Sequence, residues 1–162
     1  MLYVPGQGDE KMLSRDAGNP HRPTDGYTYN IVTKSNWQFR CISLVASQAS
    51  QGEGFLAIAP NGTIYRFDWM VSRSALGMGS SVGLISRREV WILPTLVTDR
   101  FGNTVTYNYD TTDPWKLTSI VASDGRSLSL TYVTGTHRVA SVTDGTRTWT
   151  YTYTPTAPGS SI

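Results

Sequence analysis

One short unit is written three times between residues 99 and 153, and this repetition leaves the chain few ways to fold. The copies are DRFGNTVTYNYD (99–110), SDGRSLSLTY (123–132) and TDGTRTWTYTY (143–153). Each places a glycine in a turn signal and then alternates large and small residues. Alternation of period two marks a strand with one buried face. Asn61-Gly62, followed by TIYRFDWMV (63–71), is a fourth and looser copy.

Counting from each glycine shows how regular the unit is. After Gly62 the large residues are Tyr65, Phe67 and Trp69, at offsets 3, 5 and 7. After Gly102 they are Val105, Tyr107 and Tyr109, and after Gly125 Leu128, Leu130 and Tyr132, at the same offsets. After Gly145 they are Trp149, Tyr151 and Tyr153, at 4, 6 and 8, so a bulge or a different loop is needed to keep that face aligned. The opposite face reads Thr104, Thr106, Asn108; Ser127, Ser129, Thr131; and Thr148, Thr150, Thr152. It is small, polar and uncharged.

The strands KLTSIVAS (116–123) and RVASVT (138–143) precede two of the turns. Asn61-Gly62, Asp124-Gly125 and Asp144-Gly145 are expected to close two-residue hairpins with positive φ at both turn residues. One hairpin cannot bury its own apolar face. The fold expected is all-β: antiparallel hairpin repeats joined in one continuous curved sheet.

Upstream the pattern is less even. Residues 1–26 read as an irregular arm rich in Gly, Pro and Asp. Strands are expected over 27–34, 37–45, 54–60, 63–71 and 90–94, with a polar loop at 46–54. SRSALGMGSSVGLISRRE (72–89) reads as a Gly/Ser-rich surface loop with a short helical turn. The chain thus divides into the arm, a β segment over 27–94, and repeats over 95–162, and it is expected to be a piece of a longer polypeptide.

Composition removes several functions. The net charge is +2 and Arg87-Arg88 is the single adjacent basic pair, so the stripe that nucleic acid requires is missing. Cys41 is the one cysteine, which excludes an intrachain disulfide and a cysteine-based zinc site; it reads as a small buried residue. No apolar run reaches the length of a membrane span and the N-terminus lacks a signal-peptide core. His21 and His137 have no triad context, and Asp124 and Asp144 are accounted for by their turns. No catalytic residue, cofactor or metal site is expected, and no enzyme activity. Asn61-Gly62-Thr63 fits a glycosylation sequon but is better explained as a turn. Phe67, Trp69, Tyr107, Tyr109, Tyr132, Trp149, Tyr151 and Tyr153 form an aromatic face, read first as cross-strand packing and second as a platform for sugar rings.

VTDRFGNTVTYNYD (97–110) followed by WKLTSIVASDGRSLSLTY (115–132) resembles the RHS or YD-repeat family. Tyr109-Asp110 supplies the Tyr-Asp pair, Leu117, Ile120, Val139 and Val142 stand at its Leu and Val positions, and Asp99 and Asp144 match its Asp before the turn. The sequence departs from that pattern where Val133 and Thr154 replace the Asp, and where Trp115-Lys116 and His137-Arg138 replace its Gly-Arg step. The resemblance implies a structural role: a length of wall in a β-sheet shell that encloses a toxin or effector, as in polymorphic toxins, toxin complexes and type VI secretion effectors. Its partners would be the rest of the array and the enclosed domain, or identical chains. It would be secreted or held at the surface of a bacterium as part of a larger protein. The alternative from the residues is a carbohydrate-binding or adhesive β domain.

Overall fold

The computed structural model describes residues 1–4, 8–16, 18, 21–45, 52–80 and 83–154. The expected loop at 46–54 lies outside the described residues up to 51, as does the tail from 155. Among the described residues there is no helix. The strands are β1 (Leu2–Val4), β2 (Gly8–Glu10), β3 (Leu13–Ser14), β4 (Ile31–Val32), β5 (Gln38–Ser43), β6 (Glu53–Ile58) and β7 (Ile64–Ser80). They continue with β8 (Gly83–Thr98), β9 (Thr104–Tyr109), β10 (Leu117–Ala122), β11 (Ser127–Tyr132), β12 (Val139–Thr143) and β13 (Thr148–Thr150).

β1 and β2 pair with each other. The other eleven strands make one antiparallel sheet in chain order from β3 to β13, and its two end strands do not pair, so the sheet is open. The all-β antiparallel expectation holds, with every neighbour in the sheet also a neighbour in sequence.

The register explains the alternation. Directly opposed positions run Ile31, Phe39, Ala57, Tyr65, Val97, Val105 and Ala122 across seven strands. Further along, Tyr107 faces Ile120, Leu128 faces Ile120, Leu130 faces Val142, and Val142 faces Trp149. All lie on one face, because side chains two apart in a strand share a side. The other face carries the hydroxyls. Asn108 Nδ2 donates to Ser119 Oγ at 2.9 Å, and the Thr131 and Ser141 hydroxyls are 2.7 Å apart.

The apolar face is covered over part of its length. β1 and β2, in a region expected to be irregular, form a hairpin whose Leu2 is buried against Trp37, Phe39, Ala57 and Ala59, with Val4 and Met12 beside it. Burying one such side chain contributes roughly 1.5–3 kcal/mol. Beyond β8 the face is open: Val105, Ile120 and Leu128 line a shallow hollow of about 610 Å³ rimmed by Arg126 and Asp144.

Residues 72–89 correct the sequence reading most. Residues 72–80 and 83–89 belong to β7 and β8, which pair from Ile64↔Thr98 out to Ser80↔Gly83, and 81–82 lie outside the described residues. The expected strand at 90–94 is the middle of β8, and the one at 63–71 is the start of β7. Glycine and serine weaken a strand without forbidding it, and here the partner strand pairs with the backbone on both sides of an irregularity between Ala75 and Met78. The strand expected over 27–34 is shorter, limited to Ile31–Val32. Cys41, expected to be buried, is exposed.

Where β7 and β8 leave the sheet, both ladders slip. Arg66 faces Leu96, Phe67 faces Pro94 and Trp69 faces Leu93, which leaves Asp68 and Thr95 as the extra residues. Asp68 is fully buried and its carboxylate accepts from both Arg66 Nε and Thr95 Oγ1. Each bulge thus supplies a polar side chain to the other.

Candidate functional site

The turns are built differently from the expectation. Among the described non-glycine residues only Asn36 has a positive φ, so Asn61, Asp124 and Asp144 do not. Gly62 N donates to Ala59 O at 2.9 Å, and Ala59 N donates to Thr63 O at 2.8 Å. The loop is therefore Pro60, Asn61 and Gly62, with Gly62 alone at φ +85°. Gly102 with Asp99, and Gly125 with Ala122, repeat the same pair of bonds. These are three-residue loops of a type I turn closed by a left-handed glycine, and proline suits their first position.

The last turn is shorter, and this accounts for the shifted offsets. Asp144 N donates to Arg147 O, which leaves Gly145 and Thr146 as a two-residue loop with the positive φ at its first position, as in a type II′ turn. Losing one loop residue moves the glycine back by one relative to its strand. Trp149, Tyr151 and Tyr153 therefore stay on the apolar face without a bulge in β13.

The recurring acids serve the turns through their side chains. Asp144 Oδ1 accepts from Arg147 N at 2.6 Å and Thr146 N at 2.8 Å, and these amides, Arg147 first, hold its carboxyl below the ordinary aspartate value. Asp124 is lowered chiefly by the Arg126 side chain at 2.7 Å, and Asp99 by the Asn103 side chain at 2.7 Å. Asn61 Oδ1 accepts from Thr63 N at 3.0 Å in the same way. A short acceptor that folds back on its own loop explains why Asp and Asn recur there.

A second device repeats that the sequence reading missed. Tyr109 Oη donates to Pro94 O, Tyr132 Oη to Leu117 O, and Tyr153 Oη to Val139 O, each at 2.8 Å. Each receiving carbonyl precedes an extra residue in its strand: Thr95, Thr118 and Ala140. A bulge disrupts the ladder locally, and a tyrosine at the end of the next strand, or just past it for Tyr153, bonds the backbone beside it. A cation lies over two of these rings: Lys116 Nζ is 5.5 Å from the Tyr132 centroid, and the Arg138 guanidinium 5.3 Å from that of Tyr153. The signal was present in the sequence as a tyrosine closing each of the three units, seven residues after Gly102 and Gly125 and eight after Gly145.

Tyr132→Phe removes one such bond while keeping the ring. It is expected to cost about 1 kcal/mol, which lowers the melting temperature by roughly 2–4 °C. A thermal melt followed by circular dichroism reads this directly, and an unchanged midpoint would mean that water replaces the hydroxyl.

The aromatic face divides in two. Trp69 is 7% exposed, stacks on Tyr109 with centroids 5.3 Å apart, and donates from Nε1 to Pro114 O at 2.9 Å. Phe67 stacks on Tyr65 at 5.8 Å, and Tyr107 is half-buried opposite Ile120. Burial drives the Tyr109 phenol well above its ordinary range. These rings are packing. Trp149, Tyr151 and Tyr153 are 45%, 49% and 41% exposed at the end of the sheet, where no further strand covers them among the described residues.

The remaining candidates are placed plainly. His137 Nε2 lies 3.0 Å from Asp113 Oδ1, and Lys116 Nζ lies 3.0 Å from the same carboxylate. Lys116 is the first cause holding Asp113 below the ordinary value. That triplet ties the 110–116 loop to the start of β12 and brings no nucleophile to the imidazole. His21 lies in the N-terminal arm, where its carbonyl accepts from Arg15 at 2.5 Å. Among the described residues no three His, Cys, Asp or Glu side chains group to hold a metal ion, and no helix is long and apolar enough to cross a membrane.

Among the described residues no strand pairs with the outer edge of β13, and the register of its inner edge is defined. Tyr151 N donates to Ala140 O, and Asp144 N to Arg147 O. The bonded pairs of this ladder are thus 140/151, 142/149 and 144/147. Thr148 and Thr150 fall on the alternate positions, so their backbone N–H and C=O groups point away from β12. Comparison with protein-family models, with curated proteins and with solved structures finds no match to this chain.

Proposed function

We propose that this chain is a non-enzymatic structural segment of an RHS/YD-type repeat protein, part of a wall or scaffold around a secreted effector. The observation that carries the reading is the tyrosine-to-bulge bond made three times, at Pro94, Leu117 and Val139, in successive hairpins of one sheet. A device repeated at each step is what a growing sheet needs, whereas a binding or catalytic site is needed once. The outward amides of Thr148 and Thr150, beside the exposed Trp149, Tyr151 and Tyr153, are the surface on which another strand would add.

The test uses that edge. The chain is expected to self-associate as its concentration rises in sedimentation velocity. Thr150→Pro removes an outward N–H without touching the bonds to β12, and it should leave a folded monomer. A wild-type chain that stays monomeric and melts sharply at all concentrations overturns the wall reading. Reading the coding frame past Ile162 extends the test, since further units of this length followed by an unrelated domain are expected.

The exposure of Trp149, Tyr151 and Tyr153 favours a second reading, a glycan platform. There a soluble oligosaccharide quenches tryptophan fluorescence in the wild type, and Trp149→Ala removes the response without unfolding.

A further inference from the structure

The β7–β8 ribbon runs far beyond the sheet that holds its base. β6 pairs with β7 only between Ile64 and Phe67, and β9 pairs with β8 only between Leu96 and Thr98. The 110–116 loop supports the next few residues, through Trp115 Nε1 to Ser72 O at 3.4 Å and the Trp115 ring against Trp91. Past that point no other strand pairs with the ribbon among the described residues. Its outer part carries large apolar side chains in water: Leu76 is 91% exposed and Leu84 76%, with Met78 and Ile85 also exposed. Met78 and Ile85 oppose each other and share one face, while Leu84, opposite Gly79, lies on the other.

Charge is sorted along the ribbon with equal clarity. The segment from Ser74 to Ser86 contains no charged residue. Arg73 and the pair Arg87-Arg88 bound it, and the register sets Arg87 opposite Ala75 and Arg88 opposite Ser74, at one level. Arg73 Nε bonds Glu89 Oε2 at 2.8 Å, and Arg88 donates to the Ser72 hydroxyl at 2.6 Å. Among the described residues no carboxylate pairs with Arg87 or Arg88. The result is an uncharged apolar tip above a basic collar.

We propose that this tip is a membrane-surface anchor, which enters the headgroup layer of an anionic bilayer while Arg87 and Arg88 contact lipid phosphates and carboxylates. A medium that surrounds the tip suits apolar side chains on both faces better than a protein groove, which would cover one. Length agrees. From Leu76 to Ser80 the strand reaches roughly 13 Å at about 3.3 Å per residue. That exceeds the ~5–10 Å depth of interfacial insertion and falls short of the ~9–11 residues per strand of a spanning segment. Unpaired strand edges bar deeper entry, because backbone groups in hydrocarbon have no partner, whereas headgroups and water supply one. The inference rests on the ribbon alone and does not depend on the role of the repeats.

Flotation of the full chain with vesicles tests it, since aggregates do not float. Binding is expected with phosphatidylcholine vesicles that contain phosphatidylserine and to weaken as salt rises. Leu84→Asp should abolish it, and the exposure of Leu84 means that the variant keeps the wild-type far-ultraviolet spectrum. Arg87→Ala/Arg88→Ala should bind about 25-fold more weakly, at about five-fold per charge. The proposal is overturned if the wild type does not float, if Leu84→Asp floats as well as the wild type, or if the arginine variant and neutral vesicles make no difference. It is equally overturned if Leu84→Asp breaks up an oligomer in the absence of lipid, which would assign the tip to a second copy of the chain.

Discussion

Gly54→Ala is expected to lower the melting temperature by about 6–12 °C, from a cost of about 3 kcal/mol. Gly54 sits in β6 opposite Ile42, where β7 bulges toward it. A Cβ on Gly54 would lie 2.6 Å from the Phe67 carbonyl oxygen and 3.1 Å from Cα and Cβ of Asp68. Two of those atoms are backbone, so no rotamer change can relieve the contact. β6 would have to move off β7, and the pairs Phe55↔Phe67 and Ala57↔Tyr65 lie in the same ladder. The proper control is Gly79→Ala, where nothing lies within 4 Å of an added Cβ. That change should fall within about 0.5 kcal/mol of the wild type. Equal melts for the two variants would mean that β6 is free to shift.

The sheet was legible because its information is local. Offsets of 3, 5 and 7 from Gly62, Gly102 and Gly125 assign a face to each large side chain, and the register places those side chains on one apolar surface. The displaced offsets after Gly145 also pointed to a real change, the loss of one loop residue. Turn type was misread because Asn-Gly and Asp-Gly serve two geometries. Pro60 was the clue, since proline fits the first position of a type I turn and no place in a two-residue type I′ loop.

Residues 72–80 and 83–89 read as loop in the sequence for a different reason. Gly77, Gly79 and Ser80 look like loop by propensity, and the exposed outer ribbon has no buried face to impose a period. Cross-strand bonding decides that segment, and single-strand patterns do not report a partner. The N-terminal hairpin was hidden in the same way. Leu2 and Val4 alternate over too few residues to announce a strand, yet Leu2 completes the core under Trp37 and Phe39. Long-range contacts such as Tyr132 to Leu117 O join positions fifteen residues apart, and spacing shows them only after the register is known.

The second large effect belongs to Asp68. Asp68→Ala is expected to cost about 3 kcal/mol, because a buried carboxylate with two side-chain donors disappears at once. Half of Arg66 reaches solvent, with 43% of its side chain exposed, so it regains water and softens the loss; the Thr95 hydroxyl is only part-buried and loses its acceptor. Asp68→Asn keeps the shape and one acceptor oxygen, and should cost roughly half as much. Thr95→Val, at about 1 kcal/mol, and Asp68→Ala should not add in the double variant, since both remove the same bond. Chemical denaturation of the four proteins gives the coupling. Additive losses would mean that the two bulges are held by register alone. A coupled loss would mean that the Asp68–Thr95 bond fixes them together at the point where the ribbon leaves the sheet.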